Sequence, residues 1–506
     1  MPTDQFMNIQ FAMFCLGDRA YGPSAFCAAG RKLAARLVQL SAKPVCQIGY
    51  GDDGSPNGGV FSDLDVWLEK VLLEKFLGAR SNQSVDFDQD SLTELPESPY
   101  CAKKSSIRNN DRKLKEWQNR QFRDSYSDFF SSLCPATAYN YNDCRILASE
   151  ENSVEDDPHR RDPLLGCVVS NERITGKGWM QDTRHIKMHI TTRVPNRKDL
   201  ARLDPAISLA NSKAERKDAS NTEEIGDTAN KPVPLPYVAG DIATIMPSNP
   251  KSTVDRFISC LPASIQADAD VPIEISTRID TATQYSSSFT KWPKYATLRG
   301  ILTYCADISN LPEREDLRSL RFYCNPSHPA GCDHRKKLYS LSETADTALY
   351  GDYVLREKRS WADILFDFDS IKFEDGGEPK MEAKIDVPPS YLLLTIEHLL
   401  MILPPIMPRH FSIASSPTAN EIEGYSIRNG ALGFNLELCV AVVKGSTRYG
   451  RQYQGLCSSY LSSLKASDQL QIRAWIRPGS FHRLPLELNA DRIFKSPVMY
   501  VGAGTG

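Results

Sequence analysis

The chain has 506 residues, of which 41% are hydrophobic and 24% are charged, and its formal net charge is −3. That length predicts two to four domains with buried cores, and that charge excludes a general attraction to nucleic acid or anionic membranes. The thirteen cysteines follow no repeating framework, which indicates reduced thiols in a cytosolic protein and argues against a secreted disulfide scaffold.

The N-terminal part alternates between strand and helix patterns. We predict a short apolar strand at 9–16, a helix at 24–40, a second strand and loop at 44–54, and a second helix at 63–77. Strand, loop and helix repeated twice predict a parallel, doubly wound sheet. Two strands are too few for such a sheet, so we interpret this part as its second half.

Two polar segments follow. We interpret 78–163 as a linker with one helix near 112–132, and 195–232 as a mobile loop. Between them, 166–194 alternates polar and apolar residues, as antiparallel strands do. After them, 237–250 is predicted to be a strand that enters a turn rich in Pro and Asn.

The C-terminal half begins with a mainly helical pattern over 251–400. Its most apolar run, 391–407, contains Glu397, His398 and two prolines and is short for a transmembrane helix. Further strands are predicted at 409–415, 436–443 and 471–476. The sequence starts close to a strand and stops in the glycine-rich "VGAGTG", so we expect that parts of the first and last domains are missing.

The stretch "RHFSIASS" at 409–416 combines a cation, an aromatic residue and several hydroxyl groups. Arg409 offers a guanidinium that suits a diphosphate, Phe411 offers a ring for stacking, and Ser412 offers a hydroxyl group. A strand that carries these side chains at its edge is suited to a flat, anionic ligand. On its own the motif is weak, because serine-rich turns are common.

A second stretch, "GLCSSYL" at 455–461, has Gly455 ahead of a helical pattern. Small residues at a helix N-terminus leave backbone N–H groups free to bind an anion. This motif is also weak alone. Its order after "RHFSIASS" and before "VGAGTG" favours one binding site over three unrelated turns.

With these motifs the sequence resembles ferredoxin–NADP reductase-type flavoproteins, and among them the diflavin reductases. It is most similar to the NADPH-dependent diflavin oxidoreductases of cytosolic iron–sulfur protein assembly. The similarity is carried by "FCLGDRAYGP", "GYGDDG", "RITGKGWMQDTRHIKMHI", "AGDIATIMPSN", "RHFSIASS", "GLCSSYL", "WIRPGS" and "VGAGTG". It spans roughly 9–77 and 164–506, while the polar segments carry none of it.

The resemblance implies a multidomain protein of α/β and β-barrel parts. Residues 1–77 would be the C-terminal half of a flavodoxin-like FMN domain, and 78–163 a polar linker. Residues 164–490 would be an antiparallel FAD-binding β-barrel with a helical insertion at about 251–400. The start of an NADP-binding α/β domain would lie at 491–506.

The resemblance also implies the residues that bind each cofactor. Ser412 would lie near N5 of the flavin and take part in catalysis, and Lys358 or Arg359 would fill a basic FAD-contacting position. The remaining FAD residues would be Arg409 at the diphosphate, Phe411 at the flavin ring, His410, Gly455, Leu456, Cys457 and Ser458. FMN would be bound by Leu16, Gly17, Asp18, Tyr21 and Asp53, and NADPH by Thr505.

The family's activity is electron transfer from NADPH through FAD and FMN to a protein acceptor. The resemblance implies an anamorsin-like iron–sulfur protein as that acceptor, and a cytoplasmic location with mitochondria as a second one. Two alternatives stay open. One is another diflavin reductase, such as a cytochrome P450 reductase, and the other is a truncated FAD-binding fragment without turnover.

One departure is that Cys15 stands where the family usually has Gly before Leu-Gly-Asp. The phosphate loop of the FMN domain and most of the NADPH domain also lie outside the sequence. We therefore expect the chain to bind FAD, to bind little FMN, and to show little turnover with NADPH.

The stretch "CNPSHPAGCDH" holds Cys324, His328, Cys332 and His334, which are residue types that bind Zn²⁺. Their spacing is cramped, and the prolines and glycine are typical of a surface loop, so we expect no metal. The acidic stretch 151–159 is interpreted as solvated linker, with electrostatic docking as the alternative.

Overall fold

A computed structural model describes most of the chain outside the long polar segments. The described residues are 6–54, 59–77, 95, 97–104, 112–135, 137–139, 163–191, 237–277, 292–343, 347–374, 391–417, 426–428, 431–466 and 472–479. Within them no helix is both long and apolar enough to cross a membrane.

The N-terminal part contains two pairs of parallel strands, as the alternating pattern predicts. The four strands are β1 (Gln10–Phe11), β2 (Phe14–Gly17), β3 (Lys43–Pro44) and β4 (Gly49–Asp52). β1 pairs with β3 and β2 pairs with β4. Helix α1 (Ala28–Gln39) provides the crossover that parallel pairing requires. The carboxyl ends of β2 and β4 therefore lie side by side.

A longer helical segment follows β4. It begins at Gly59, earlier than the predicted 63, and consists of α2 (Gly59–Trp67), a π-helical turn (Leu68–Leu73) and α3 (Glu74–Leu77). The ring of Trp67 packs 5.5 Å from that of Phe14, between centroids. This contact places the helical segment against β2.

The middle of the chain forms a mainly helical region, as predicted for 251–400. Its helices are α4 (Arg112–Ser132), α5 (Lys251–Ser259), α6 (Ala263–Ala267), α7 (Leu298–Tyr304), α8 (Arg314–Leu320), α9 (Gly331–Ser342), α10 (Thr347–Tyr350), α11 (Trp361–Asp367) and α12 (Ile396–Ile402). A large apolar core joins them, with Phe257, Trp292 and Trp361 almost fully buried.

Part of the segment predicted to be a linker belongs to this helical region. Strand β5 (Tyr100–Lys104) pairs with β9 (Pro272–Thr277), which pairs in turn with β10 (Tyr295–Thr297). Helix α4 lies where the sequence predicts a helix, and it buries Phe129 and Phe130 in the apolar core. The segment is thus structural here and is not only a solvated connection.

The second large unit is an antiparallel sheet of seven strands. In spatial order these are β11 (Arg409–Ser412), β8 (Ile242–Met246), β16 (Ile472–Arg477), β6 (Leu164–Arg173), β7 (Thr183–Thr191), β13 (Ala431–Ala441) and β12 (Ser426–Arg428). Alternate residues on one face are buried, for example Ile186, Met188 and Ile190 on β7. That period of two is the pattern of a sheet with one face against a core.

The sheet curls until its ends come close. Ile413, just after β11, forms an isolated antiparallel bridge with Leu438 on β13, and the Ala414 N–H donates to the Glu437 carbonyl at 2.8 Å. This is one bridge and not a continuous ladder, so the described strands do not confirm the predicted closed barrel. The predicted NADP-binding part, 491–506, lies outside the described residues.

A hairpin and a helix connect β13 to β16. The hairpin strands are β14 (Lys444–Ser446) and β15 (Gln452–Gln454), and they lead into helix α13 (Leu456–Ser463). Cys457 and Leu461 of this helix are buried against the apolar face of the sheet. Its N-terminus therefore begins close to the rim of the curled sheet.

Candidate functional site

Strand β11 presents the "RHFS" motif on the outer edge of the sheet. It pairs with β8 so that Arg409 lies opposite Ile245 and Ser412 opposite Ile242. Along the strand, Arg409 and Phe411 are half-buried while His410 and Ser412 are exposed. The strand therefore divides its side chains between a face that packs and a face open to solvent.

The guanidinium of Arg409 has two anchors within the protein. Its Nη1 donates to the carbonyl oxygen of Met407 at 2.6 Å, and its Nη2 lies 3.4 Å from Oδ2 of Asp307. The side chain is nevertheless 43% exposed. A guanidinium has five N–H donors, so several of them are left for a ligand.

His410, Phe411 and Ser412 differ in how firmly the protein holds them. Nδ1 of His410 is hydrogen-bonded to Oγ1 of Thr244 at 3.0 Å. Burial, with Arg477 and Arg409 nearby, lowers the pKa of His410, so the ring is neutral at pH 7. Phe411 packs against the apolar core of the sheet. The exposed hydroxyl of Ser412 is the group of the three that faces solvent most freely.

The predicted second motif forms the N-terminus of α13. Gly455 is the N-cap residue, and no side chain caps the helix. The first N–H groups of a helix have no partner within it, and together with the helix dipole they favour an anion. A Cβ at Gly455 would lie 2.9 Å from Cβ of Val443 and 3.0 Å from Oγ of Ser458, so this position is too crowded for a larger residue.

Cys457 and Ser458 have mainly structural contacts. Cys457 is 5% exposed, and burial raises the pKa of its thiol to about 12, which keeps it protonated. Oγ of Ser458 accepts the N–H of Val443 at 3.1 Å. Leu456 packs against the apolar core of the helical region. These side chains fix the helix, and its backbone amides are the groups suited to bind a ligand.

The two motifs meet in the structure. The positive charge of Arg409 acts on Cys457, where it opposes the effect of burial on the thiol pKa. The arginine of β11 therefore lies within electrostatic range of helix α13, and their joint role in one FAD site stays a prediction. Together they offer a cation, backbone donors and the half-buried ring of Phe411.

The two basic candidates Lys358 and Arg359 lie in the helical region. Lys358 is exposed and has a left-handed backbone conformation with φ of 48°. Nε of Arg359 donates to Oδ2 of Asp367 at 3.1 Å, and its guanidinium lies 4.1 Å from the ring centroid of Tyr353. Arg359 is thus held by partners within the protein, and Lys358 is the more accessible of the two.

The predicted FMN residues lie at the carboxyl ends of β2 and β4. The N–H of Asp53 donates to the carbonyl of Gly17 at 2.8 Å, so the two loops touch. Asp18 caps the short 3-10 helix Arg19–Tyr21 by accepting from the Ala20 N–H at 2.7 Å, and Leu16 is 66% exposed. The carboxyl end of a parallel sheet is where α/β proteins bind ligands.

Arg19 and Asp52 tie these two loops together. The backbone N–H of Arg19 donates to Oδ1 of Asp52 at 3.0 Å, and the Arg19 Nε lies 3.2 Å from Asp52 Oδ2. A Cβ at Gly17 would lie 2.6 Å from the Cys27 nitrogen, so only glycine fits there. The structure therefore brings together Leu16, Gly17, Asp18 and Asp53, and Tyr21 lies in the same loop.

Two other predictions lie outside the described residues. Thr505, the predicted NADPH contact, is among them, and so is the acidic stretch 151–159. Both stay predictions.

The proposed metal-binding stretch forms a histidine pair. Among the described residues, the candidate ligand group with atoms within 4.8 Å of one another consists of His328, His334 and Asp369 and includes neither Cys324 nor Cys332. Nδ1 of His328 accepts the Ala330 N–H at 3.2 Å, so its Nε2 carries the proton and faces Asp369, 3.8 Å away. The two histidine rings stack with their centroids 6.0 Å apart beside Asp369, and the absence of a metal stays a prediction.

Asp307 is the site residue that sequence reasoning missed. It is 102 residues from Arg409, so no local pattern links them. Asp307 lies three residues after Tyr304, the last residue of α7, near a helix end where the dipole disfavours a carboxylate. A nearby cation offsets that unfavourable interaction.

Comparison with known proteins finds family models for two segments of the chain. Residues 2–67 match the flavodoxin family model, and residues 224–374 match the model described as an FAD binding domain. The second match ends before β11 and α13, so the assignment of those elements depends on their geometry and on the resemblance of their motifs.

Similar whole proteins are named NADPH-dependent diflavin oxidoreductase 1. The chain is 24% identical over 508 residues to the one from Debaryomyces hansenii, with all of this chain and 63% of that protein covered. It is 26% identical to the protein of Bos taurus, covering 64% of it, and 25% identical to that of Dictyostelium discoideum, covering 60%.

The chain thus spans about 63% of the length of the first of these relatives. The similarity runs along the whole chain, and it includes a flavodoxin part and an FAD-binding part in the same order. On this evidence the chain is similar along its whole length to proteins named NADPH-dependent diflavin oxidoreductase 1.

Proposed function

We propose that this protein is an NADPH-dependent diflavin reductase that passes electrons through FAD and FMN to an iron–sulfur protein. The observation that carries the proposal is the partly exposed guanidinium of Arg409 on β11, within electrostatic range of the uncapped helix α13. A partly exposed guanidinium and free backbone amides suit the diphosphate of FAD. Phe411 lies two residues along the same strand, at a distance suited to a flat ring.

The FMN part of the proposal is supported by the loops at 17–22 and 52–54. They lie at the carboxyl ends of two parallel strands, and Gly17 packs so closely against Cys27 that no side chain fits there. Loops of this kind hold a planar ring between backbone and side chains. FAD and FMN supply the redox chemistry, and the protein supplies binding and orientation.

Finer parts of the proposal follow from the family. The seven-stranded sheet would be the FAD-binding barrel, and 491–506 the start of an NADP-binding domain with Thr505 as a contact. Ser412 would lie near N5 of the flavin, because its hydroxyl is on the exposed face of β11. The acceptor would be an anamorsin-like iron–sulfur protein in the cytoplasm, with a haem protein as the alternative acceptor.

The test measures cofactor binding first and electron transfer second. Purified protein is titrated with FAD and with FMN while quenching of flavin fluorescence is followed. The loaded protein is then mixed with NADPH without oxygen, and the acceptor protein is added. Loss of the flavin absorbance followed by reduction of the acceptor would support a diflavin reductase and would contradict the little turnover that the sequence predicts for this chain. Tight FAD binding without reduction by NADPH would instead identify an FAD-binding protein without turnover.

A further inference from the structure

Asp307 lies outside the residues that we propose to contact FAD, and it is firmly fixed. The residue is 6% exposed, and its N–H donates to the carbonyl of Pro404 at 2.8 Å. The buried side chain of Asn249 donates to the carbonyl oxygens of Leu302 at 2.6 Å and Ala306 at 2.8 Å. The turn that carries Asp307 is thus held on both sides.

The carboxylate of Asp307 makes one contact with a charged side chain, its 3.4 Å contact with Nη2 of Arg409. Its other oxygen, Oδ1, is buried without a hydrogen-bond partner within the described residues. Keeping a carboxylate in so dry a position is unfavourable unless a cation is held close to it. The pairing is therefore strongly favoured from the side of Asp307.

From the side of Arg409 the same contact fixes an orientation. Asp307 holds Nη2 and the Met407 carbonyl holds Nη1, so both ends of the guanidinium have an anchor. A long, 43% exposed arginine would otherwise sample many rotamers and lose that freedom on binding a ligand. Holding it in advance lowers the entropic cost of binding.

We propose that Asp307 is a positioning residue for FAD, which holds Arg409 so that its outward N–H groups meet the diphosphate. The inference depends on the proposed FAD site and adds a residue that does not touch the cofactor. The inference also predicts whether Asp307 strengthens or weakens the binding of FAD. A carboxylate that only cancelled the charge of Arg409 would weaken the binding of an anion, whereas a positioning carboxylate strengthens it.

The experiment compares FAD dissociation constants of variants by fluorescence titration. Asp307→Ala should weaken binding about ten-fold and Asp307→Asn about three- to ten-fold, because the amide keeps an acceptor but not the charge. In an Arg409→Ala background, Asp307→Asn should change binding less than about two-fold, since the residue acts through Arg409. Where Asp307→Ala does not fold, the size-matched Asp307→Asn carries the comparison.

Asp363→Asn is the matched control. Asp363 is another largely buried aspartate paired with arginines, at 2.7 Å from Arg256 and 2.8 Å from Arg451. It should lower thermal stability without changing FAD affinity more than about two-fold. A loss of affinity in this control equal to that of Asp307→Asn would show a general effect of stability and would overturn the inference.

A pH series provides a second readout. Burial raises the pKa of Asp307, and Arg409, together with backbone hydrogen bonds from Ser309 and Asn310, opposes that effect. As the pH falls through the raised pKa of Asp307, protonation of this carboxylate should make the wild type more like Asp307→Asn. The FAD dissociation constants of wild type and Asp307→Asn should therefore become more similar. A growing difference between them would contradict the proposal.

The outcomes separate the inference from the proposed function. If the wild-type protein does not bind FAD, the proposed FAD site itself is wrong. If the wild type binds FAD and Asp307→Ala binds equally well or more tightly, only the positioning role is wrong. An effect of Asp307→Asn that persists in the Arg409→Ala background would also overturn it.

Discussion

One arginine–aspartate pair lies at the sheet edge and another lies in the helical region. They differ in how much of the arginine side chain is exposed. In the helical region, Arg359 is 18% exposed and lies 3.1 Å from Asp367, whose carboxylate also accepts the hydroxyl of Tyr353 at 2.7 Å. At the sheet edge, Arg409 is 43% exposed and lies 3.4 Å from Asp307.

This difference distinguishes a structural arginine from a binding one. The guanidinium of Arg359 is stacked on a ring and held by a carboxylate, so it contributes to packing. The guanidinium of Arg409 is held by Met407 and Asp307 on one side and is exposed to solvent on the other. The family resemblance made both arginines candidates for FAD, and their surroundings separate them.

The largest effect is expected for Arg409→Ala. Losing a charge-assisted contact to the diphosphate should cost about 2–3 kcal/mol of binding free energy, which is about a thirty- to hundred-fold loss of FAD affinity. Flavin content after purification and fluorescence titration measure it. Unchanged affinity would remove Arg409 from the site.

Arg359→Ala should behave in the opposite way. It leaves Asp367 without its cation and exposes the ring of Tyr353, so the free energy of unfolding should fall by about 2 kcal/mol. FAD affinity should stay within about two-fold of wild type. Chemical denaturation and FAD titration of the same sample test both statements, and a selective loss of FAD binding would restore Arg359 as a cofactor contact.

Gly455→Ala tests the other wall of the candidate site. The added Cβ would lie 2.9 Å from Val443 and must displace the start of α13, at a cost of about 1–2 kcal/mol. FAD affinity should fall together with stability, because the helix amides move. Gly450→Ala is the control. Gly450 has φ of 80°, and a Cβ there would meet no atom within 4 Å, so this variant introduces backbone strain without crowding. That control should lose stability but keep FAD affinity.

Arg409→Lys should recover part of what Arg409→Ala loses, about 1 kcal/mol of binding free energy. An ammonium group keeps the charge but cannot make two parallel hydrogen bonds to a diphosphate or contact both anchors at once. Titration of the three proteins side by side measures it. Full recovery would mean that charge alone matters and that the orientation of the guanidinium does not.

The smallest effect concerns the thiol of Cys457. Because burial raises its pKa to about 12, it should react very slowly with iodoacetamide at neutral pH. The exposed Cys167 and Cys332 should be labelled first. Mass spectrometry of digested, labelled protein reads the order, and early labelling of Cys457 in folded protein would show that α13 opens readily.

Much of the N-terminal fold could be predicted because its signals are local. An apolar run over 9–16 and a period of 3.6 over 24–40 depend only on neighbouring residues, and the structure has two short strands and a helix there. The ends of elements were less accurate. α1 begins at Ala28 because Cys27 adopts a left-handed conformation with φ of 52°, which the sequence does not reveal.

The segment 78–163 shows why composition can mislead. Its polar residues outnumber its apolar ones, which favours a linker, yet Phe129 and Phe130 are 4% and 3% exposed. Two adjacent aromatic residues at the end of an amphipathic helix suffice to dock it. Strand β5 could not be predicted either, because its partner β9 is distant in sequence.

The candidate FAD site was predictable where its residues are adjacent in sequence. The alternation of half-buried and exposed side chains from Arg409 to Ser412 follows from a strand at a sheet edge. The contact with Asp307 was not predictable, because it depends on how the helical region meets the sheet. Side-chain pairing across 102 residues is a property of the fold.

That long separation has a consequence for how the protein folds. Arg409 and Asp307 come together only after the loop between them has closed, so the site cannot exist in a chain whose helical region and sheet have formed but not joined. A cofactor that binds there selects the joined state, and at a hundred times its dissociation constant it adds about 2.7 kcal/mol to the stability of that state. FAD would then stabilise the joined state during biosynthesis. Flavin deficiency would lower the amount of the protein, because the unjoined form is open to proteolysis.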